Sequence, residues 1–70
     1  MKGIVKWFDV EKGYGFIECN GEDIFVHFTT IREEGHKSLV QGEYVNFEIV
    51  NTIKGKRAKN VISDKEKEAA

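Results

Sequence analysis

The chain has 70 residues, enough for one small domain, and its formal net charge of −1 argues against binding driven mainly by attraction to phosphates. Its one cysteine, Cys19, excludes an intrachain disulfide, and no Cys/His spacing typical of a metal site is present, so we predict no cofactor and no metal. No apolar run has the length of a membrane span and no signal-peptide pattern follows Met1, so we expect a cytoplasmic protein without a membrane partner.

The first predicted strand covers residues 2–9 (KGIVKWFD), a stretch rich in β-forming residues. Its alternation breaks where Trp7 and Phe8 stand side by side, and adjacent bulky residues on opposite faces indicate a bend or bulge there. Residues 9–13 (DVEKG) are typical of a short hairpin loop in which Gly13 takes the positive-φ position. The chain is therefore expected to turn back on itself after this strand.

A hairpin in the first half of the chain carries the clearest local signals. Residues 14–19 (YGFIEC) alternate in character, and residues 23–28 (DIFVHF) form the return strand. Between them, Asn20-Gly21 is a strong hairpin signal because both central positions of a type I′ turn need positive φ. These two strands are therefore predicted to pair in antiparallel fashion.

The second half contains two more predicted strands. Residues 29–31 start a short helical turn, and residues 32–38 form a polar loop. Residues 43–50 (EYVNFEIV) alternate cleanly, and a turn over 51–56 around Gly55 leads to a last strand over 57–62. The inward positions of the alternating segment are Val45, Phe47 and Ile49.

Five short strands without intervening helices predict an all-β fold, a five-stranded antiparallel barrel, because closure removes vulnerable strand edges. We assign residues 1–62 to this single domain. Residues 63–70 (SDKEKEAA) are charged and lack large apolar groups, so we expect a disordered C-terminal tail. The sequence offers no interface for a stable oligomer, which predicts a monomer.

The two faces of the central hairpin differ in kind, because side chains alternate along a strand. One face carries compact aliphatic residues suited to a barrel interior, namely Ile17, Ile24 and Val26. The opposite face carries rings, namely Tyr14, Phe16, Phe25 and His27. Soluble monomers rarely expose such a patch without a use for it, and aromatic platforms bind single strands because every base has a π-face. The pattern therefore predicts binding of single-stranded RNA or DNA.

Two other interpretations of the rings stay open at this point. The rings could form the core, which would leave the aliphatic residues in water and His27 inside the barrel. They could also form a protein-binding patch, as in SH3-type barrels that bind Pro-rich peptides. An RRM is excluded, because that fold needs two helices and an earlier strand, and only eleven residues precede Lys12.

Residues that could carry catalysis are sparse. Cys19 lies on the aliphatic face, where packing is its predicted role. His27 has no Cys, Asp or second His at ligand spacing, and the chain shows no Ser-His-Asp set, phosphate-binding loop or pair of catalytic acids. We therefore predict neither an enzyme nor a small-molecule substrate.

Two stretches together resemble the bacterial cold-shock proteins: VKWFDVEKGYGFI (5–17), followed by DIFVHFTTI (23–31). KGYGFI looks like the first RNA-binding motif of that family and IFVHF like its second, and the likeness extends over residues 2–62. The resemblance implies an OB-fold barrel that binds single-stranded RNA and DNA. It also implies an RNA chaperone that keeps RNA unpaired, with a role in stress response and in regulating transcription or translation.

The resemblance also implies individual roles. The base-stacking residues would be Trp7, Phe16, Phe25, His27 and Phe28, with Tyr14 where an aromatic is usual. The polar contacts would be Lys6 and Lys12, with Asp9 hydrogen-bonding a base. The alternation of the strand places Phe28 with the core, so its place on the binding face rests on the resemblance.

The sequence departs from the family pattern in four places. His36 stands in GHKSL where the family often has Phe, so this stacking site is expected to be weaker or pH-dependent. KGKR (54–57) lacks the usual proline and adds positive charge, and we include Lys54 and Arg57 among the predicted nucleic-acid contacts. The loop at Asn20-Gly21 is short, and the segment after residue 62 is an extension.

Overall fold

The computed structural model describes residues 1–32 and 38–64, which form one closed barrel of five strands. The strands are β1 (Lys2–Asp9), β2 (Tyr14–Cys19), β3 (Glu22–His27), β4 (Tyr44–Thr52) and β5 (Gly55–Ser63), with a short 3₁₀ turn at Phe28–Thr30. Around the barrel their order is β1-β2-β3-β5-β4. The predicted all-β OB-fold barrel is thus confirmed.

The barrel closes through a parallel contact in an otherwise antiparallel arrangement. β3 meets β5 in parallel, with Phe25 opposite Arg57, and a parallel bridge joins Ile31 to Val61 nearby. The other strand pairs, β1 with β2 and β4, β2 with β3, and β4 with β5, are antiparallel. Closure therefore places the start of β5 beside the ring-bearing strand β3.

The bulge in β1 lies one position before the predicted one. Val5 pairs with Ile17 and Trp7 pairs with Phe16, so Lys6 is the extra residue. The inserted residue lets Lys6 and Trp7 both stay exposed while Val5 is buried and Phe8 packs against the core. The bulge thus brings Trp7 to the same outer surface as the rings of β2.

The turns follow from residues that tolerate positive φ. Gly13 closes the β1–β2 connection at φ 80°, and Asn20 and Gly21 take φ of 54° and 80° between β2 and β3. The β4–β5 turn is tighter than predicted, since β4 continues to Thr52 and β5 begins at Gly55. The Thr52 hydroxyl closes this turn by donating to the Gly55 carbonyl over 2.8 Å.

The core consists mostly of aliphatic side chains from all five strands, with two residues from the segment between β3 and β4. Ile17, Ile24 and Val26 have no exposed surface, so the predicted inner face of the central hairpin is confirmed. The interpretation that placed the rings in the core is wrong, because these branched residues already fill it. The other buried apolar residues are Val5, Cys19, Ile31, Leu39, Val45, Phe47, Ala58 and Val61.

Two sequence-based predictions fall wholly or partly outside the described part of the chain. Most of the predicted polar loop over 32–38 is not described, and of the predicted tail only Ser63 and Asp64 are. Ser63 is the last residue of β5, and the Asp64 amide donates to the Tyr44 carbonyl over 2.9 Å. Within residues 1–32 and 38–64, no helix is long and apolar enough to cross a membrane.

Candidate nucleic-acid interface

The rings of β1, β2 and β3 lie side by side because of the strand register. Phe16 stands directly opposite Phe25, and Tyr14 opposite His27, across the β2–β3 ladder. The bulge places Trp7 opposite Phe16 on the other side. We call this surface the aromatic face; it comprises Trp7, Tyr14, Phe16, Phe25, His27 and Phe28.

Neighbouring rings of the aromatic face touch at an angle. Ring centroids are 5.6 Å apart for Trp7 and Phe16 and 5.8 Å apart for Phe16 and Phe25, with interplanar angles of 59° and 75°. Tyr14 lies 5.9 Å from Trp7 and 5.8 Å from Phe25. Tilted and edge-on contacts of this kind stabilise the arrangement of the rings and leave part of the ring surface accessible to a ligand.

Exposure distinguishes this face from the core. Trp7 and Phe28 are each 40% exposed, while Phe16 and Phe25 are half-buried by their neighbours. Each ring is thus held by packing on one side and accessible on another. This combination suits a stacking platform, since an immobilised ring loses little conformational entropy when a base binds.

Two glycines make room for this arrangement. A Cβ on Gly15 would lie 2.1 Å from the Trp7 carbonyl oxygen, so only glycine permits β1 to pass this close to β2. A Cβ on Gly13 would lie 2.7 Å from the Phe28 ring. The Phe28 amide also donates to the Gly13 carbonyl over 2.8 Å.

The position of Phe28 follows from these contacts. β3 ends at His27, so the strand alternation no longer governs the next residue, and Phe28 opens the 3₁₀ turn with its ring against Gly13. The rings of Phe28 and His27 are 4.7 Å apart. The structure thus brings Phe28 to the aromatic face, as the family resemblance implied and strand alternation did not.

Other protein groups contact three cations near the aromatic face: Lys6, Lys56 and Arg57. Lys6 Nζ lies 3.0 Å and 3.1 Å from the two carboxylate oxygens of Asp23, and this hydrogen bond raises the pKa of Lys6. Lys56 Nζ lies 2.5 Å from a carboxylate oxygen of Glu22. The Arg57 guanidinium lies over the Phe25 ring, 5.4 Å from its centroid.

The β4–β5 hairpin forms the opposite wall of a groove beside the aromatic face. Phe16, Phe25 and His27 line one side of this groove, and the tip of the hairpin lines the other with Ile53 and Lys54. Ile53 is fully exposed at that tip. The predicted contacts Lys54 and Arg57 therefore share one groove with three of the predicted stacking rings.

Sequence reasoning missed five groove residues: Asp23, Thr52, Ile53, Gly55 and Lys56. The signal for Ile53 was present, because an isoleucine at the tip of a tight turn has nothing to pack against. The groove position of Asp23 needed the closure of β3 on β5, which no local pattern encodes.

The predicted contacts Lys12 and Asp9 lie at the β1–β2 turn and do not line this groove. Lys12 is exposed in the β1–β2 turn. Oδ1 of Asp9 accepts hydrogen bonds from the amides of Glu11 and Lys12, each over 3.0 Å, so this oxygen stabilises the turn. His36 lies outside the described residues.

The described residues contain no group of three His, Cys, Asp or Glu side chains that could hold a metal ion. Cys19 is buried on the inner face, and its Sγ lies 3.6 Å from the Lys2 carbonyl oxygen.

Comparisons with known proteins identify related chains. The profile of the "Cold-shock" DNA-binding domain family matches residues 1–63. The cold shock-like protein CspC of Bacillus cereus is 52% identical over 63 residues, which cover 89% of this chain and 97% of that protein. The cold shock protein CspA of Staphylococcus saprophyticus is 55% identical over 62 residues, which cover 87% of this chain and 94% of that protein.

A solved structure supports the fold independently of close sequence similarity. The Drosophila Unr CSD456 structure superimposes with a TM-score of 0.73 at 19% sequence identity. The match covers 89% of this chain and 25% of that one. At this identity the likeness concerns the barrel fold alone.

Proposed function

Since this chain belongs to the cold-shock DNA-binding domain family, we propose that it binds single-stranded RNA and DNA by stacking bases on the aromatic face. One observation carries the proposal: ring side chains of three adjacent strands form a contiguous, accessible surface while branched aliphatic residues fill the barrel. A surface of this kind on a small domain suits a ligand with flat apolar faces.

Stacking supplies most of the binding free energy in this mechanism. Each base on an aromatic platform contributes about 1–3 kcal/mol, judged by alanine substitution. Trp7, Phe16 and Phe25 are the main platforms, with Tyr14, His27 and Phe28 extending the surface. Because every base has a π-face, the preference among sequences is weak.

Electrostatic attraction plays a secondary role. Lys12, Lys54 and Arg57 contact phosphates, while the net charge of −1 provides little long-range attraction. With about two or three phosphates neutralised, the logarithm of the affinity falls with the logarithm of salt concentration at a slope of about −1.4 to −2.1. Arg57 also stays stacked on Phe25, so it contributes a cation–π contact.

The chaperone role follows from mass action. A protein that binds the open form of an RNA hairpin shifts the equilibrium between the closed and open forms toward the open one. The size of the shift depends on the ratio of the free protein concentration to the Kd, and no ATP is needed. Duplex regions bind weakly because their bases already stack on one another. We propose that the protein acts as a monomer without a cofactor and turns over no small-molecule substrate.

The test is a titration of Trp7 fluorescence, since Trp7 is the only tryptophan of the chain and lies on the aromatic face. Oligo-dT should quench the fluorescence with saturation, and a matched duplex should bind far more weakly. Equal titration by both would contradict the proposal. A Pro-rich peptide tests the remaining alternative, a protein-binding barrel, and saturable binding of that peptide alone would favour it.

A further inference from the structure

His27 is the last residue of β3, and contacts with Thr29 hold one side of its ring. Its Nδ1 accepts a hydrogen bond from the Thr29 amide over 3.3 Å, and the Thr29 hydroxyl oxygen lies 2.9 Å from the same nitrogen. This makes His27 the cap of the 3₁₀ turn Phe28–Thr30. The Thr30 hydroxyl donates to the His27 carbonyl over 2.8 Å, which fixes the backbone at the same point.

The Thr29 amide favours one of the two neutral tautomers of the His27 ring. An amide N–H only donates, so its hydrogen bond to Nδ1 at 3.3 Å requires the lone pair of that nitrogen, whereas the hydroxyl contact at 2.9 Å fits either tautomer. The hydrogen of a neutral imidazole then resides on Nε2. The Thr29 hydroxyl, facing the same lone pair, is a second donor to Nδ1 in this tautomer.

Nε2 is the nitrogen left for a ligand. Within residues 1–32 and 38–64, no hydrogen bond to Nε2 is formed, and His27 lines the groove together with Phe16 and Phe25. A base that stacks on the aromatic face brings its edge into this groove. The N–H on Nε2 can pair there only with an acceptor.

We propose that Thr29 is a positioning residue that fixes His27 as the Nε2–H tautomer, so that His27 donates a hydrogen bond from Nε2 to an acceptor oxygen or nitrogen on the edge of a stacked base. The proposal rests on the proposed function and deepens it. His27 thereby hydrogen-bonds the edge of a base in addition to stacking on its face. Thr29 acts on this contact without touching the nucleic acid.

The tautomer is measured directly by long-range ¹H–¹⁵N spectra of the ¹⁵N-labelled full chain at pH 8, without ligand. His36 is the only other histidine, so a His36→Gln variant identifies the His27 signals. The expected spectrum shows His27 protonated on Nε2. Predominant protonation on Nδ1 would overturn the proposal whatever the binding data show.

Binding of oligo-dT tests the positioning role. Thr29→Val keeps the amide and the branched shape but removes the hydroxyl; its affinity should fall by roughly two- to tenfold, the range of one ordinary hydrogen bond. Its ring should also show more of the Nδ1–H tautomer. Thr29→Ser keeps the hydroxyl and should behave as the wild type in both measurements.

A double-mutant cycle separates this role from a general structural one. His27→Phe keeps a ring for stacking but has no N–H, so adding Thr29→Val to it should leave the affinity unchanged. An equal loss in both backgrounds, or no loss in either, would overturn the proposal. If Thr29→Val does not fold, Thr29→Ala takes its place in the cycle.

Failure of the proposed function gives a different pattern. In that case oligo-dT does not bind the wild type at all, while the spectrum of the free protein still shows His27 protonated on Nε2. Binding of the wild type together with the wrong tautomer would refute the role of Thr29 alone.

Discussion

Lys6 and Asp23 form a bidentate ion pair on the outer surface of the barrel, with Lys6 Nζ within 3.1 Å of both carboxylate oxygens of Asp23. Lys6 is the bulged residue of β1, and Asp23 lies on β3 beside the groove. A cation next to the aromatic face is therefore already engaged before any nucleic acid binds. In the proposed binding mode, phosphates have to compete with Asp23 for Lys6.

This pairing predicts the effect of Asp23→Asn on salt dependence. Release of Lys6 should add about one phosphate contact, so oligo-dT binds more tightly at low salt and the slope against salt steepens by about 0.7. The measurement is a set of Trp7 titrations at several salt concentrations. Glu48→Gln is the matched control, because Glu48 pairs with Lys59 at 3.9 Å on a surface outside the groove. An equal change in both variants would show that net charge alone is responsible.

The same pair makes a prediction about pH. Asp23 raises the pKa of Lys6 above 10.5, first through its hydrogen bond and second through its charge. The raised pKa therefore contributes its full stabilisation at pH values below the pKa of Lys6 in the unfolded chain. This stabilisation is lost as the pH rises through the higher pKa of Lys6 in the folded chain. Asp23→Asn should bring the Lys6 pKa down toward 10.5, as followed by NMR of the side chain. An identical titration of Lys6 in both proteins would contradict the assignment.

Ring substitutions should separate binding from folding. Phe25→Ala should weaken oligo-dT binding by about 1–3 kcal/mol and leave the barrel folded, because Phe25 is a platform on the outer surface. Tyr44→Ala removes an aromatic ring that is 50% exposed and lies outside the aromatic face. It should leave the affinity unchanged. Fluorescence titration and thermal unfolding of both variants check the prediction, and equal losses of affinity would refute it.

Gly15→Ala tests the close approach of β1 and β2. The added methyl group would lie 2.1 Å from the Trp7 carbonyl oxygen, which is backbone and cannot swing aside, so the strands must part. We expect a loss of several kcal/mol in the free energy of unfolding, beyond the roughly 1–3 kcal/mol typical of overpacking. Gly21→Ala is the control, because a methyl group there meets nothing within 4 Å and only the φ of 80° opposes it. Chemical unfolding of both variants provides the comparison; equal stability would show that the strands can separate easily.

The sequence predicted those features that depend on neighbours along the chain. The inner and outer faces of the central hairpin follow from the two-residue period, and Asn20-Gly21 set its turn. These local rules placed Ile17 inside and Phe16 outside, as the structure has them.

Other features depend on contacts between distant segments, so no local pattern contained them. The pairing of Lys6 with Asp23 needs the bulge in β1 and the register of β2 and β3 together. The stacking of Arg57 on Phe25 needs the closure of the barrel. The exposure of Phe28 follows from the end of β3, where alternation stops applying.

The central claim, that the rings of β1, β2 and β3 receive the bases, is tested most directly by NMR of the side chains during titration with oligo-dT. Stacked bases shift the signals of the rings beneath them, so Trp7, Phe16 and Phe25 should show the largest changes, and Tyr44 should show little change. Large shifts confined to the other side of the barrel, around Asn46 and Ile62, with the three rings unmoved, would contradict the account.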